Sequence, residues 1–217
     1  QFPELKDSVK GRISSTMKVS GRGSKASEVK KNLTGNGHFN INDGSWSALS
    51  GMKMVAEKLK ANPQINEKIG TFVIGDRFKT AKADFTIQNS RLNIQNAELD
   101  MQDARTTVLM GGWIGFNKNL YLKGDIIAPL QNTPKDLRTS DGRTKLPFEA
   151  EGSMTNPQFK WDATVKAVAG AYLKDEGAKA INKGIKQLKE NVKDENVKKL
   201  LDKLPEDASD LLKGIKF

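Results

Sequence analysis

The sequence predicts a mainly β protein with some helix: a strongly curved antiparallel sheet, meandering and groove-like, with helices covering its ends and a helical C-terminal tail. Three observations predict it. From Ile69 to Pro129, short runs alternate apolar and polar residues and are separated by Asn, Asp, Gly and Ser. The connections between these runs are too short for crossover helices, so neighbouring strands should run antiparallel. Finally, only 36% of the chain is hydrophobic while 29% is charged, a shortage that suits a sheet with one covered face or an open groove.

The elements follow in order. Residues 1 to 8 read as a tail. From Gly11, the alternation of Ile13, Ser15, Met17 and Val19 predicts a strand, stopped by Gly21-Arg22-Gly23. Ser24 can cap a helix over about 24–33, ended by Thr34-Gly35-Asn36-Gly37. Phe39 and Ile41 then share one face of a short strand, and Asp43-Gly44 is a turn signal. A second helix over about 50–68, capped by Ser50, carries Met52, Val55, Ala56 and Leu59 as a narrow apolar stripe and should cover an end or a face of the sheet.

In the central meander, strands are expected at Thr71 to Ile74, Thr80 to Gln88, Arg91 to Met101, Thr106 to Phe116 and Leu120 to Ile127, with a bulge or short turn at Asn96 to Ala97 where the two-residue period slips. Residues 131–145 are polar and read as an exposed, protease-sensitive loop. Leu146 to Met154 and Gln158 to Asp162 supply the last strands, so that a sheet domain spans 1–162. From Ala163 the period becomes helical. Val165, Val168, Ala169, Tyr172, Ala180 or Ile181, Ile185, Leu188 and Val192 line one side of a tail, 163–217, that should pack on the sheet or lie on a membrane surface. Gly177 and Gly184 interrupt that stripe, so a bend or a close helix contact is expected there.

The side-chain chemistry is mostly exclusionary. Without cysteine there are no disulfides, thiolate ligands or thiol nucleophiles. His38 is the single histidine and reads as structural. Asp84, Glu98, Asp100 and Asp103 have no metal-site spacing, and an enzyme would require some of them to converge with His38. No enzymatic activity, cofactor or metal is expected. The run Gly111-Gly112-Trp113-Ile114-Gly115 lies inside the meander and precedes no helix, so it is no dinucleotide fingerprint. It reads either as a strand bent at glycines with Trp113 in the core or at a rim, or as the point where the sheet curls into a trough lined by Trp113, Met110 and Met101.

The net charge is +10, and residues 1 to 60 hold 11 basic and 5 acidic side chains, so the excess is N-terminal. Only 14 aromatics are present, none spaced as in an RNA-binding strand, and no nucleic-acid partner is expected. An anionic membrane surface is compatible with the charge, as is a merely solvated basic face. No apolar run reaches the roughly 18 residues of a membrane span, and residues 1 to 8 lack the apolar core of a signal peptide.

The order of pieces resembles the C-terminal region of the AsmA family. Leu33-Thr34-Gly35-Asn36-Gly37-His38-Phe39-Asn40-Ile41-Asn42-Asp43-Gly44 is similar to its helix end, strand and Asp/Asn-Gly turn, and Ser20-Gly21-Arg22-Gly23 to its preceding turn. Phe85-Thr86-Ile87 to Leu92 resembles its hairpin, with Ser90 where glycine is common, Gly111-Gly112-Trp113-Ile114 a later strand, and Leu146-Pro147-Phe148 to Asn156-Pro157-Gln158-Phe159 its closing pair. AsmA-like proteins and their TamB- and YhdP-type relatives are held in the bacterial inner membrane, reach into the periplasm, and are implicated in phospholipid movement or outer-membrane assembly.

The resemblance implies a non-enzymatic, lipid-contacting domain of the cell envelope. It would be periplasmic and attached to the inner membrane through a segment beyond these residues, with a phospholipid or other acyl-chain ligand and membrane or envelope proteins as partners. The groove would draw on Phe39, Ile41, Phe85, Ile87, Leu92, Ile94, Leu99, Met101, Met110, Trp113, Leu122 and Phe148. The alternative is a structural or protein-interaction module that docks through its helices.

Overall fold

The computed structural model describes residues 9–61, 74–103 and 105–191. Eight strands form one antiparallel sheet in strict sequence order: β1 (Val9–Ser20), β2 (Thr34–Trp46), β3 (Arg77–Gln88), β4 (Arg91–Met101), β5 (Thr107–Gly115), β6 (Asn119–Ala128), β7 (Thr144–Ser153) and β8 (Asn156–Lys160). β1 and β8 are its two edges, so the sheet is not a closed barrel. A short helix, α1 (Ala26–Lys31), links β1 to β2. Between β2 and β3 come a 3-10 segment, Ser47–Met52, and α2 (Lys53–Lys60). Helix α3 (Asp162–Asn191) follows β8.

The pairing carries one apolar row across the sheet. Ile13 stands opposite Ile41, Ile41 opposite Ala81, Ala81 opposite Leu99, Leu99 opposite Val108, Val108 opposite Ile126, and Ile126 opposite Leu146. Residues directly opposite in an antiparallel pair share a face, so the hydrophobic side of every strand from β1 to β7 points the same way. On the other side lie charged and hydroxyl pairs: Lys145 with Asp125, Thr80 and Thr107 on Asp100, and His38 with Asp84.

The sheet curls around its apolar side. The 3-10 segment leaves the end of β2, yet a Cβ placed at Gly51 would stand 2.6 Å from the ring of Phe159 on β8. Those strands are six positions apart in the sheet, so contact through the apolar side requires a strongly bent sheet. Leu49, Met52, Val55 and Leu59 from this connection are fully buried beneath the bend. Removing such side chains from water stabilises the fold by roughly 1.5–3 kcal/mol each. Phe148, Phe159 and Trp161 complete this end as an aromatic group, with the last two stacked 5.4 Å apart. Helix α3 joins through buried Val168 and Tyr172, and through Thr164, whose hydroxyl donates to the Pro147 carbonyl.

Several expectations are corrected. Asp43-Gly44 makes no hairpin: β2 runs through it, and Asp43, at φ 52°, forms a bulge where the pairing with β1 jumps from Lys10 to Arg12. Thr34 to Gly37, expected as a stop, already belongs to β2. Ser24 does not cap α1; Lys25 is the N-cap, and Ser24 instead donates its N–H and hydroxyl to Glu28, lowering that carboxyl's pKa. Ser50 lies within the 3-10 segment rather than capping α2. Ile74 is outside any strand, and the rest of the expected Thr71 to Ile74 strand lies outside the described residues, as do the end of the 50–68 helix and the tail after 191. Residues 131–145 are not simply an exposed loop. Thr133 and Thr144 are buried and hydrogen-bonded to each other, Arg138 donates to the Thr133 carbonyl, and Tyr172 reaches the Gln131 carbonyl. Helix α3 is continuous through Gly177 and Gly184, and nothing lies within 4 Å of a Cβ placed at Gly184, so no close contact is made there.

The expected bulge in β4 is present. Ile94 opposes Gly112 and Ala97 opposes Met110, so one more residue is accommodated on β4 than on β5.

Candidate functional site

The apolar face is not completely filled. An open cleft of about 200 Å³ runs along it, lined by apolar side chains from β1 to β6 and from the β7–β8 turn, Met154. Val9 at the start of β1 and Met154 at the far side of the sheet meet the same space only because the sheet curls. Strand β4 contributes Ile94, Ala97 and Leu99, which stand opposite Gly112, Met110 and Val108 and so span roughly 14 Å at strand spacing once the bulge is discounted. That is close to the depth of one bilayer leaflet's hydrocarbon, about 15 Å.

Six of the twelve groove residues expected from sequence line this cleft: Phe39, Ile41, Ile94, Leu99, Met110 and Leu122. Phe85, Ile87 and Leu92 share the face on neighbouring rows, Phe85 lying 6.2 Å from the Phe39 ring. Met101 and Phe148 also belong to the apolar core; Phe148 packs against Phe159 and Trp161. Trp113 is the exception. It stands opposite Asn93 and Tyr121 on the polar face, with the Arg91 guanidinium 4.1 Å over its ring. The two-residue strand period puts Met110 and Trp113, three residues apart, on opposite sides.

Sequence reasoning missed Val9, Trp46, Phe78, Ala81, Ala97, Ile114 and Met154. The two alanines carried a usable signal. Small residues at inward positions of β3 and β4 leave that part of the trough unfilled, and period-two counting from Phe85 reaches Ala83 and Ala81. Trp46 and Trp161 each bury an indole N–H without a hydrogen-bond partner.

The charged groups gather elsewhere. His38 Nδ1 and Asp84 Oδ1 are 3.0 Å apart on the polar face, both more than half exposed. Asp100 accepts from Thr80 and Thr107, and Asp103 accepts from the N–H and hydroxyl of Thr106, closing the β4–β5 turn. Among the described residues no three His, Asp or Glu side chains are grouped to hold a metal ion. A second hollow, between α3 and Lys135–Leu137, is bordered by pairs that neutralise each other, Lys174 with Asp136 and Lys179 with Asp175. Among the described residues, no helix is long and apolar enough to cross a membrane.

The chain matches no family model, and no curated protein or solved structure is significantly similar to it.

Proposed function

We propose that this is a non-enzymatic, lipid-contacting domain whose curved sheet holds an acyl chain against its apolar face. The observation that carries it is the lining of the cleft: thirteen side chains, Val9 to Met154, all apolar. A site for a polar substrate presents a few convergent donors or acceptors to fix orientation, whereas an acyl chain asks only for a smooth apolar wall. The resemblance to AsmA-like envelope proteins agrees with this chemistry. On that reading the domain works in the periplasm, held to the inner membrane by a segment beyond these residues, and contributes to phospholipid transfer or outer-membrane assembly.

The test uses the three tryptophans. Trp46 lines the cleft, Trp113 lies on the polar face and Trp161 is packed in the core. Phospholipid with brominated acyl chains should quench wild-type fluorescence, and Trp46→Phe should abolish most of that quenching while Trp113→Phe leaves it. Protein purified without detergent should carry phospholipid adducts in native mass spectrometry. A protein with neither adduct nor Trp46-dependent quenching would overturn the proposal.

The alternative, a module that docks through its helices, draws on α3. Ala178 and Ile181 form a small cluster separate from the main core, and Leu173 is exposed. Val168 and Tyr172 are core residues, so removing 163–217 would damage the sheet itself. Reversing Lys183 and Lys186, both exposed, is the cleaner probe. Loss of envelope attachment with lipid content intact would favour this second reading.

A further inference from the structure

The apolar face does not end where the cleft ends. It continues onto β1, an edge strand, where Ile13, Met17 and Val19 are 66%, 53% and 48% exposed. By register they share a face with Ile41, Gly37 and Gly35 of β2, so they form an uncovered lip continuous with the cleft wall. The same stretch carries the chain's charge imbalance. Between residues 9 and 34 there are seven basic side chains and one acidic, Glu28, which is engaged by Ser24. Arg12 is paired with Asp43. Lys10, Lys18, Arg22, Lys25 and Lys31 are all exposed, along the polar face of β1 and around α1 at the end of that strand, while the Lys30 ammonium is turned onto Phe116.

We infer that β1 and α1 form the surface by which this domain docks on an anionic bilayer, the lysines and Arg22 meeting lipid phosphates while Ile13, Met17 and Val19 reach the acyl boundary. The inference deepens the lipid-contacting reading and rests on it: the lip is the side from which a chain enters the cleft. Charge complementarity decides the occupant. A second copy pairing antiparallel along β1, centred on Ser14, would set Lys10 against Lys18 on the same face, and like charges directly opposite are destabilising. Phosphate headgroups neutralise the same residues and accept hydrogen bonds from the unpaired backbone N–H groups of the edge. An exposed apolar strip bordered by cations is the composition of interfacial binding, in which area and charge contribute together.

The experiment is co-sedimentation of the full chain with vesicles of phosphatidylcholine alone or mixed equally with phosphatidylglycerol, at low and high salt. Binding should require phosphatidylglycerol and weaken with salt. The triple variant Lys18→Gln, Arg22→Gln, Lys25→Gln, all at exposed positions, should bind about a hundredfold more weakly, since each basic residue near such a surface contributes about fivefold. Met17→Ser with Val19→Ser, which leaves the charge intact, should also reduce binding. Equal binding to both vesicle types, or an unchanged triple variant, would overturn the inference. So would a concentration-dependent dimer that dissociates in the Met17, Val19 variant without any vesicle binding. The two proposals fail differently. Protein whose Trp46 is quenched by dispersed brominated lipid but which ignores vesicles sinks the docking surface alone. Protein that binds anionic vesicles without such quenching supports docking and sinks the cleft.

Discussion

Ile13 and Ile41 stand directly opposite each other in the β1–β2 register and share a face, yet Ile41 is 9% exposed and Ile13 66%. The difference comes from what lies over them, since Ile41 borders the cleft and joins the main core while Ile13 is on the uncovered edge. Identical residues on one row should therefore respond differently to truncation. Ile41→Ala should destabilise by roughly 2–4 kcal/mol, as large-to-small changes at buried sites do. Ile13→Ala should stay within about 0.5 kcal/mol. Urea unfolding of the two variants checks this; a comparable loss in both would mean that β1 is covered in solution.

Strands β5 and β6 approach each other at a glycine where a side chain would otherwise stand. A Cβ at Gly124 would lie 1.9 Å from the Leu109 carbonyl oxygen and 2.8 Å from Met110 Cα, both backbone atoms that no rotamer change can move aside. Gly124→Ala should cost about 3 kcal/mol or more through overpacking. Gly170 in α3 is the counter-case, with nothing within 4 Å of a new Cβ. Gly170→Ala should stabilise by roughly 0.5–1 kcal/mol, because alanine loses less backbone entropy in a helix. Thermal melting of both variants should show shifts of opposite sign.

Strand β4 was legible to the residue, Arg91–Met101, because its alternation is unbroken on both sides of one slip, and the slip marked the bulge. Asp43-Gly44 shows where local reading stops. A left-handed residue followed by glycine suits a hairpin turn and a bulge equally, and only the pairing of β2 with both β1 and β3 decides between them. Trp113 shows a different failure, in which a large aromatic beside glycines suggested a ligand wall although parity with Met110 placed it on the other face. Val9, Trp46 and Met154 were invisible for a third reason. They come from separate parts of the chain and meet only when the sheet curls, and curvature is a property of the whole sheet.

Strong acid should open one corner of the molecule, the turn around Asp141. The Asp141 carboxylate accepts hydrogen bonds from the Thr139 hydroxyl and from Arg143, through both its Nε and its backbone N–H. These contacts, Thr139 first, lower its pKa from 3.8 to about 2. A carboxyl depressed in the folded state contributes stability above its unfolded pKa, and that contribution disappears as pH falls through the folded value. Between about pH 4 and 2, therefore, the 139–143 turn should open. Arg143, which also donates to the Arg105 carbonyl and the Thr107 hydroxyl, should loosen its hold on the start of β5 with it. NMR titration of the Asp141 carboxyl should give a midpoint near 2, and Thr139→Ala should move it back toward 3.8. A midpoint already at the ordinary value in the wild type would contradict the hydrogen-bonded turn.

Helix α1 connects β1 to β2, yet Lys30 donates to the Phe116 carbonyl at 3.5 Å, and its ammonium lies 5.8 Å from the centre of that ring, beside the β5–β6 turn. The link crosses the open end of the curved sheet, opposite the end filled by α2. Such an exposed cation contact contributes about 0.5–1 kcal/mol, too little to hold the sheet but enough to bias a short helix. Lys30→Met should leave the melting temperature within error while speeding amide exchange in Ala26–Lys31 about threefold, because a contact of this size changes a local opening equilibrium by that order. The same variant should release bound lipid faster if the helix obstructs that end of the cleft. Unchanged exchange would assign the position of α1 to its own packing instead, where Val29 and Leu33 close on the bare face of Gly21.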